Sequence, residues 1–225
     1  KMNKQYTLYT DAGNFRAFKA LVAAEYNKVD IKIPEFTLGK DNTKADFLAK
    51  SPQGKVPVLE APNGTPITES NAIARFIGKL RLDSELLGTT LLESAQVDSW
   101  IDFSSHNIEL PASLWFYPVL GFMPLNASVA AKAKKDLGAG LAVLNNHLDD
   151  KTYLVGHKVT LADICVISAL IYPFKFVCDP KFLSAYPNVV RWFTTCVNQP
   201  QFLAVVGKVE LATSELKAAT GSVIA

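Results

Sequence analysis

Three short stretches of this sequence carry residue types and spacings suited to chemistry. The first is Ser51-Pro52-Gln53-Gly54-Lys55-Val56-Pro57-Val58-Leu59. Pro57 opens an apolar run, and a proline at the start of a strand removes one ladder donor. A cis Val56–Pro57 bond turns the Val56 N–H and C=O toward a pocket, where an extended peptide pairs with them. The alternative is a trans proline in an edge strand, the commoner state of X–Pro bonds. The second stretch is Glu69-Ser70-Asn71-Ala72-Ile73-Ala74-Arg75. Ser70 stands at a predicted helix start, where its hydroxyl and the free amides behind it form a site for a carboxylate. Glu69 is placed to take an ammonium group, so the pair suits the α-amino and α-carboxylate groups of an amino acid. A plain N-cap with a favourable acid near the helix dipole is the competing reading. The third stretch is Gly156-His157-Lys158-Val159-Thr160-Leu161-Ala162-Asp163. Thr160 and Asp163 make a capping box at the head of a very apolar helix. Their expected role is helix entry and folding, and Asp163 is not expected to act as a catalytic acid.

Alternating elements position the first two stretches. Tyr6 to Thr10 is aromatic and β-branched and reads as a strand. Asp11 to Asn14 is a turn that caps a helix whose apolar stripe is Phe15, Phe18, Val22 and Tyr26. Val29 to Ile33 reads as a strand, Thr43 to Lys50 as one or two helical turns, and Val56 to Glu60 as a strand. Asn63-Gly64 is a hairpin signal leading to Thr65–Thr68, and a helix follows from Ser70 to Leu80. This βαβ–αββα order is the thioredoxin arrangement, a mixed sheet with helices on both faces. Arg81 to Thr90 reads as a linker. Beyond Leu91 the periodicity is helical throughout: Glu93–Glu109 with interruptions at Pro111 and Pro118, then Val129–Leu148, Thr160–Phe174, Val189–Val197 and Phe202–Leu211. The expected organisation is α/β plus all-α, with domains at 1–82 and 91–212 and the start of a linker at 213–225.

Composition sets bounds on function. The chain has 225 residues, 49% hydrophobic and 20% charged, which is the balance of a globular protein with a sizeable core. The formal charge is only +2, which gives no electrostatic case for nucleic acid or an anionic membrane surface. No run of 18 apolar residues is present, so no helix is expected to span a membrane. The three cysteines, Cys165, Cys178 and Cys196, form no CxxC pair and read as reduced, buried thiols. Cytosol is the expected compartment. His106, His147 and His157 share no metal-ligand spacing, and GxSxG, P-loop and HExxH motifs are absent. The helical half is rich in aromatics: Trp115, Phe116, Tyr117, Phe122, Tyr172, Phe174 and Phe176. Most are expected in the core, with a few left exposed to anchor a partner.

Taken together, the three stretches in this order resemble the glutathione-transferase superfamily. Lys55-Val56-Pro57 is similar to its cis-proline element, Glu69-Ser70 to its γ-glutamyl-binding pair, and Thr160–Asp163 to its buried helix cap. Further stretches resemble the gamma-subunit family of eukaryotic translation elongation factor 1B. They include Asn14-Phe15-Arg16-Ala17-Phe18-Lys19-Ala20-Leu21, Leu154-Val155-Gly156, Pro187-Asn188, Arg191-Trp192-Phe193 and Asn198-Gln199-Pro200-Gln201-Phe202. The resemblance implies a thioredoxin-like half followed by a helical half, and a scaffold that docks the nucleotide-exchange subunit. It leaves a homodimer open and implies that more chain follows in family members. For the pocket it implies glutathione as ligand or substrate. Its cysteinyl backbone would lie on Val56 beside Pro57, its glycyl carboxylate on Lys55, and its γ-glutamyl end on Glu69 and Ser70. An active transferase of this kind carries a hydroxyl or thiol near the end of the first strand, because a thiol of pKa about 8.5 is mostly protonated at neutral pH. This chain has neither Ser nor Cys in that turn. Asn14, Thr10 and Tyr9 are the candidates for a catalytic role, and strand alternation puts Tyr9 and Thr10 on opposite faces. Conjugation is therefore expected to be weak. Two readings stay open: a translation-factor scaffold with a retained glutathione site, and a theta-like transferase acting on small electrophiles.

Overall fold

A computed structural model describes residues 5–218. The chain divides into two compact units, Lys1–Leu87 and Gly88–Ala225. The first is a four-stranded mixed sheet with helices. Strands β1 (Tyr6–Tyr9), β2 (Ile31–Lys32), β3 (Val58–Glu60) and β4 (Pro66–Ile67) lie in the order β2-β1-β3-β4. β2 runs parallel to β1, while β3 is antiparallel to both β1 and β4. Helix α1 (Phe15–Asn27) packs on α3 (Ser70–Lys79), and α2 (Ala45–Leu48) is a single turn after a 3-10 segment at Asp41–Thr43. The two sheet faces are told apart by their aromatic contacts. Tyr6 meets Phe76 of α3 with ring centroids 5.7 Å apart, whereas Tyr9 meets Phe47 of α2 at 6.0 Å. Asn27, fully buried, ties the two long helices together by donating to the Ile77 and Gly78 carbonyls at 2.7 and 3.2 Å.

The second unit is helical: α4 (Leu91–Phe103), α5 (Leu110–Phe116), α6 (Ala127–His147), α7 (Leu161–Phe176), α8 (Pro180–Leu183), α9 (Pro187–Val197) and α10 (Pro200–Val206). Pro111 does not end the first long helix. The chain instead widens into a π-helical stretch at Ser104–Glu109 and continues through α5, with Pro111 in the first turn. Proline has no N–H to return to Asn107, so the ladder loosens on its upstream side. Gly140 of α6 lies against that stretch so closely that a Cβ would stand 2.5 Å from the Asn107 carbonyl oxygen. The last helix is shorter than its apolar pattern suggests. It begins at Pro200 and stops at Gly207, which has φ +66°, so Lys208 to Leu211 is not helical. The chain then runs back along α7, donating from Ala212 to the Phe174 carbonyl at 2.7 Å and from Leu216 to the Phe176 carbonyl at 2.8 Å. These bonds serve carbonyls that a helix end leaves unpaired. The part of the expected linker from residue 219 onward lies outside the described residues.

Helix α7 is the axis of this unit, with thirteen of its sixteen residues buried. Its entry is held by Asp163, which is fully buried. One carboxylate oxygen accepts from Thr160 N–H at 2.9 Å and Thr160 Oγ1 at 3.1 Å. The other accepts from Leu154 N–H at 2.9 Å and Trp192 Nε1 at 2.8 Å. Burial pushes the Asp163 carboxyl up from its ordinary range, against the pull of these four donors. The Asn188 and Arg191 motif residues have a structural task. Asn188 donates to Asn145, and Arg191 donates to the Leu148 and Lys151 carbonyls beyond α6. Of the seven aromatics expected to divide between core and surface, Trp115, Phe116 and Phe174 are buried. Tyr117, Tyr172 and Phe176 are half-buried, and Phe122 is 70% exposed.

Candidate functional site

The first unit gathers the candidate residues at one end of its sheet. The register pairs Tyr9 with Val58, so Thr10 and the following turn lie beside Val56–Pro57. β4 is antiparallel to β3, so its exit toward Glu69 and Ser70 lies at that same end.

The Val56–Pro57 peptide is cis, with Pro57 buried and Val56 half-buried. The loop before it is held by Ser51, which is 3% exposed. Its Oγ donates to the Lys55 carbonyl at 2.9 Å and accepts from the Lys55 N–H at 3.2 Å. Asn42 adds a bond to the Gly54 carbonyl at 2.9 Å, and Gly54 turns at φ +61°. With Lys55 fixed on both sides, the Val56 backbone has a set direction. Neither its N–H nor its C=O takes a partner among the described residues. The Lys55 side chain is exposed.

Glu69 has φ +65° and ψ 112°, a conformation that few residues other than glycine adopt. Strain of this kind clusters at ligand sites. Ser70 is the first residue of α3 and not its N-cap, and no side chain caps this helix. The plain capping reading therefore does not describe it. Neither the Glu69 carboxylate nor the Ser70 hydroxyl has a hydrogen-bond partner among the described residues, and Glu69 is exposed. The free amides of the first α3 turn stand beside them.

The three candidates around the first turn are already engaged. Asn14 is the N-cap of α1: its Oδ1 accepts from Arg16 N–H at 3.0 Å, and its Nδ2 donates to Asp11 Oδ1 at 2.8 Å. Thr10 is buried, with its hydroxyl 3.3 Å from the Asp11 carbonyl it donates to. Tyr9 faces the α2 side of the sheet, away from Thr10. Its hydroxyl donates to Glu60 at 3.3 Å, and Glu60 also pairs with Lys50 at 2.6 Å. Burial, then the Glu60 charge, raises the Tyr9 phenol above its ordinary range. Tyr9 is thus not brought to the turn with Thr10 and Asn14. Sequence reasoning missed two residues here, Ser51 and Lys19. Ser51 lay inside the quoted loop, but nothing in its type signalled that its hydroxyl would close on Lys55. Lys19 lay beside the apolar stripe of α1, and its burial was the missing signal.

Comparison with known proteins places this geometry. Residues 4–79 match the profile of the glutathione S-transferase N-terminal domain, and residues 115–200 that of the C-terminal domain. This chain belongs to the glutathione S-transferase superfamily. Within it, the chain is 46% identical over 209 residues to elongation factor 1-gamma-A of Xenopus laevis, covering 91% of this chain and 47% of that protein. It is 47% identical to elongation factor 1-gamma of Carassius auratus over the same length, covering 46% of it. The chain thus spans about half the length of these relatives. The glutathione S-transferase-like domain of elongation factor 1-gamma from Saccharomyces cerevisiae superposes with a TM-score of 0.81 at 24% identity, covering 96% of this chain and 100% of that one. A glutathione transferase of Phanerochaete chrysosporium, solved with oxidized glutathione, superposes with a TM-score of 0.82 at 20% identity over 90% of this chain and 95% of its own. These superpositions bear on the fold.

Proposed function

We propose that this chain is the glutathione-transferase-like scaffold of an elongation factor 1-gamma protein, which docks the nucleotide-exchange subunit in the cytoplasm and keeps a glutathione site. The observation that carries the reading is the state of Asn14. Its amide oxygen caps α1 and its amide nitrogen is bonded to Asp11, so the turn offers a thiolate only weak help. The binding elements are in the opposite condition. The Val56 backbone, the Glu69 carboxylate and the Ser70 hydroxyl are unspent among the described residues. Val56 beside Pro57 takes the cysteinyl backbone of glutathione, Glu69 its ammonium group, Ser70 with the α3 amides its α-carboxylate, and Lys55 its glycyl carboxylate. A site so equipped holds the tripeptide and turns it over slowly. The exposed Phe122, with half-buried Tyr117, Tyr172 and Phe176, supplies aromatic anchors for a protein partner.

Two measurements test this together. Co-purification with an N-terminal fragment of the exchange subunit is expected to give a complex at micromolar concentration. Calorimetry with glutathione is expected to show binding, alongside slow conjugation in a standard thiol-transfer assay. A charge-assisted hydrogen bond contributes about 1.5–3 kcal/mol, so Glu69→Ala and Ser70→Ala should each weaken binding about tenfold. Vigorous conjugation with no complex would overturn the scaffold reading.

A further inference from the structure

In the helical unit, α6 packs beside the chain that runs from Ser104 through α5, and a groove lies between them. Its volume is about 350 Å3, within the range of about 300–1,000 Å3 that small-molecule sites occupy. Gly140 sets its floor, because the lack of a Cβ there lets α6 close on the Asn107 carbonyl. The walls are apolar: Phe103, Leu110 and Leu114 on one side, Ala139 and Val143 on the other. Leu110 is 57% exposed and Val143 50%, so this apolar surface is left to water among the described residues. The Phe103 ring meets Trp100 edge-on with centroids 5.2 Å apart, which gives the groove a fixed aromatic wall. π-Helical widening of the kind seen at Ser104–Glu109 recurs at functional sites. None of Val56, Glu69 or Ser70 lines this groove.

The polar groups on its walls are mainly acceptors. Asp136 is the one charged residue among those that line it. Its Oδ2 accepts from Lys132 Nζ at 2.5 Å on the open face of α6. An exposed pair of that kind contributes little and yields to a competitor. The Asp136 Oδ1 has no partner among the described residues. His106 Nδ1 lies 2.9 Å from the Asp102 carbonyl. A carbonyl only accepts, so Nδ1 carries the proton, and Nε2 of the neutral ring presents a lone pair. Asn107 adds an amide able to donate or accept. An apolar groove with a negative charge and an accepting imidazole calls for a ligand that brings donors and positive charge. A primary ammonium has three donors and no acceptor.

We propose that this groove binds a small arylalkyl amine, its ring against Phe103, Leu110 and Val143 and its ammonium donating to Asp136 and His106. A carboxylate in that place would meet the Asp136 charge and the imidazole lone pair, so an anion of the same shape is rejected.

The test is a titration with three probes built on one frame: 4-phenylbenzylamine, 4-phenylbenzyl alcohol and 4-phenylbenzoate. It is run at mildly alkaline pH, where imidazole is neutral, and backbone amide shifts report both affinity and place. The amine is expected to saturate and to move the amides of Phe103–Leu114 and Asp136–Val143. It should bind about threefold or more tighter than the alcohol, with the benzoate weakest. Asp136→Asn should bring amine and alcohol to equal affinity. Lys132 does not line the groove, and Lys132→Gln releases the Asp136 carboxylate. That variant should tighten the amine about twofold and leave the alcohol unchanged. Val143→Phe fills the groove and should remove all binding there. The three substituted residues are exposed, so the fold does not depend on them. Saturation elsewhere on the protein, equal affinity for all three probes, or an amine preference that survives Asp136→Asn overturns the inference. So does an absence of saturable binding, including the case in which the protein sediments as a dimer whose second copy covers the groove.

Discussion

Glu69 joins sequence to function through its backbone. A residue with a side chain at φ +65° costs on the order of 1–3 kcal/mol unless its surroundings hold it there. Glycine adopts that conformation freely. Glu69→Gly is therefore expected to keep or raise the melting temperature while weakening glutathione binding about tenfold, the loss of one charge-assisted contact. Loss of stability in the variant would show that the carboxylate has a structural partner instead. Asp163 makes the opposite case. Its two oxygens serve four donors, from Leu154, Thr160 and Trp192, all in the core. Each donor left unsatisfied costs about 1–3 kcal/mol. Asp163→Ala should then cost about 3 kcal/mol or more, which for a protein of this size lowers the melting temperature by roughly 6–12 °C. Calorimetric scanning measures it, and an unchanged melting temperature with lost ligand binding would contradict the structural role.

The return segment after α10 is an element that no periodicity announced. Its anchor is Glu215, which accepts from Trp115 Nε1 at 3.3 Å and pairs with Lys134 at 2.8 Å and Lys217 at 3.1 Å. Lys134 also sits 4.7 Å from the centre of the Trp115 ring. Burial raises the Glu215 carboxyl, but the two lysines outweigh it and hold the group below its ordinary value. A carboxyl depressed in the folded state stabilises fully above the unfolded value, about 4.3. That contribution is lost as pH falls through the lower folded value. Hydrogen exchange at the Ala212 and Leu216 amides should therefore accelerate below about pH 4, beyond the intrinsic trend. Glu215→Gln should show fast exchange already at neutral pH. Equal protection in both proteins at neutral pH would mean that the two backbone bonds hold the segment without Glu215.

At the scale of the whole chain, the cysteines report on one unit alone. Cys165, Cys178 and Cys196 all lie in the helical unit, and all are buried. Burial pushes the Cys178 and Cys196 thiols far up, so thiolate is scarce as well as shielded. A thiol reagent should label none of the three in the native protein within minutes, and all three in denaturant. Rapid labelling of native protein would reveal local opening of α7, of the segment after it that holds Cys178, or of α9. The unit with the proposed glutathione site carries no cysteine, so the same reagent leaves it untouched. Elongation factor 1-gamma-A of Xenopus laevis, 46% identical over 209 residues, is about twice as long as this chain.

The division of information follows from the range of each force. Alternation in Tyr6–Tyr9, the Asn63-Gly64 turn, the apolar run after Thr160 and the Thr160–Asp163 box are local. Local sterics and capping decide them, and they were readable along the chain. The family resemblance also named Lys55, Val56, Pro57, Glu69 and Ser70 as one set of candidates, and the strand register brings Val56–Pro57 and Glu69–Ser70 to one end of the sheet. Tertiary contact decided the rest. Pro111 sits in the first turn of α5 after a π-helical stretch, and Gly140 lets α6 lie closely against that stretch. The last helix stopped at Gly207, and the chain beyond it gained partners on α7 that lie far away in sequence. Asn14 lost its freedom to Asp11 and Arg16, Tyr9 was drawn to Glu60, and Lys19 was buried against Asn71. A side chain's type states which bonds it can make. Which of them it does make depends on partners that only the folded chain brings within about 3 Å.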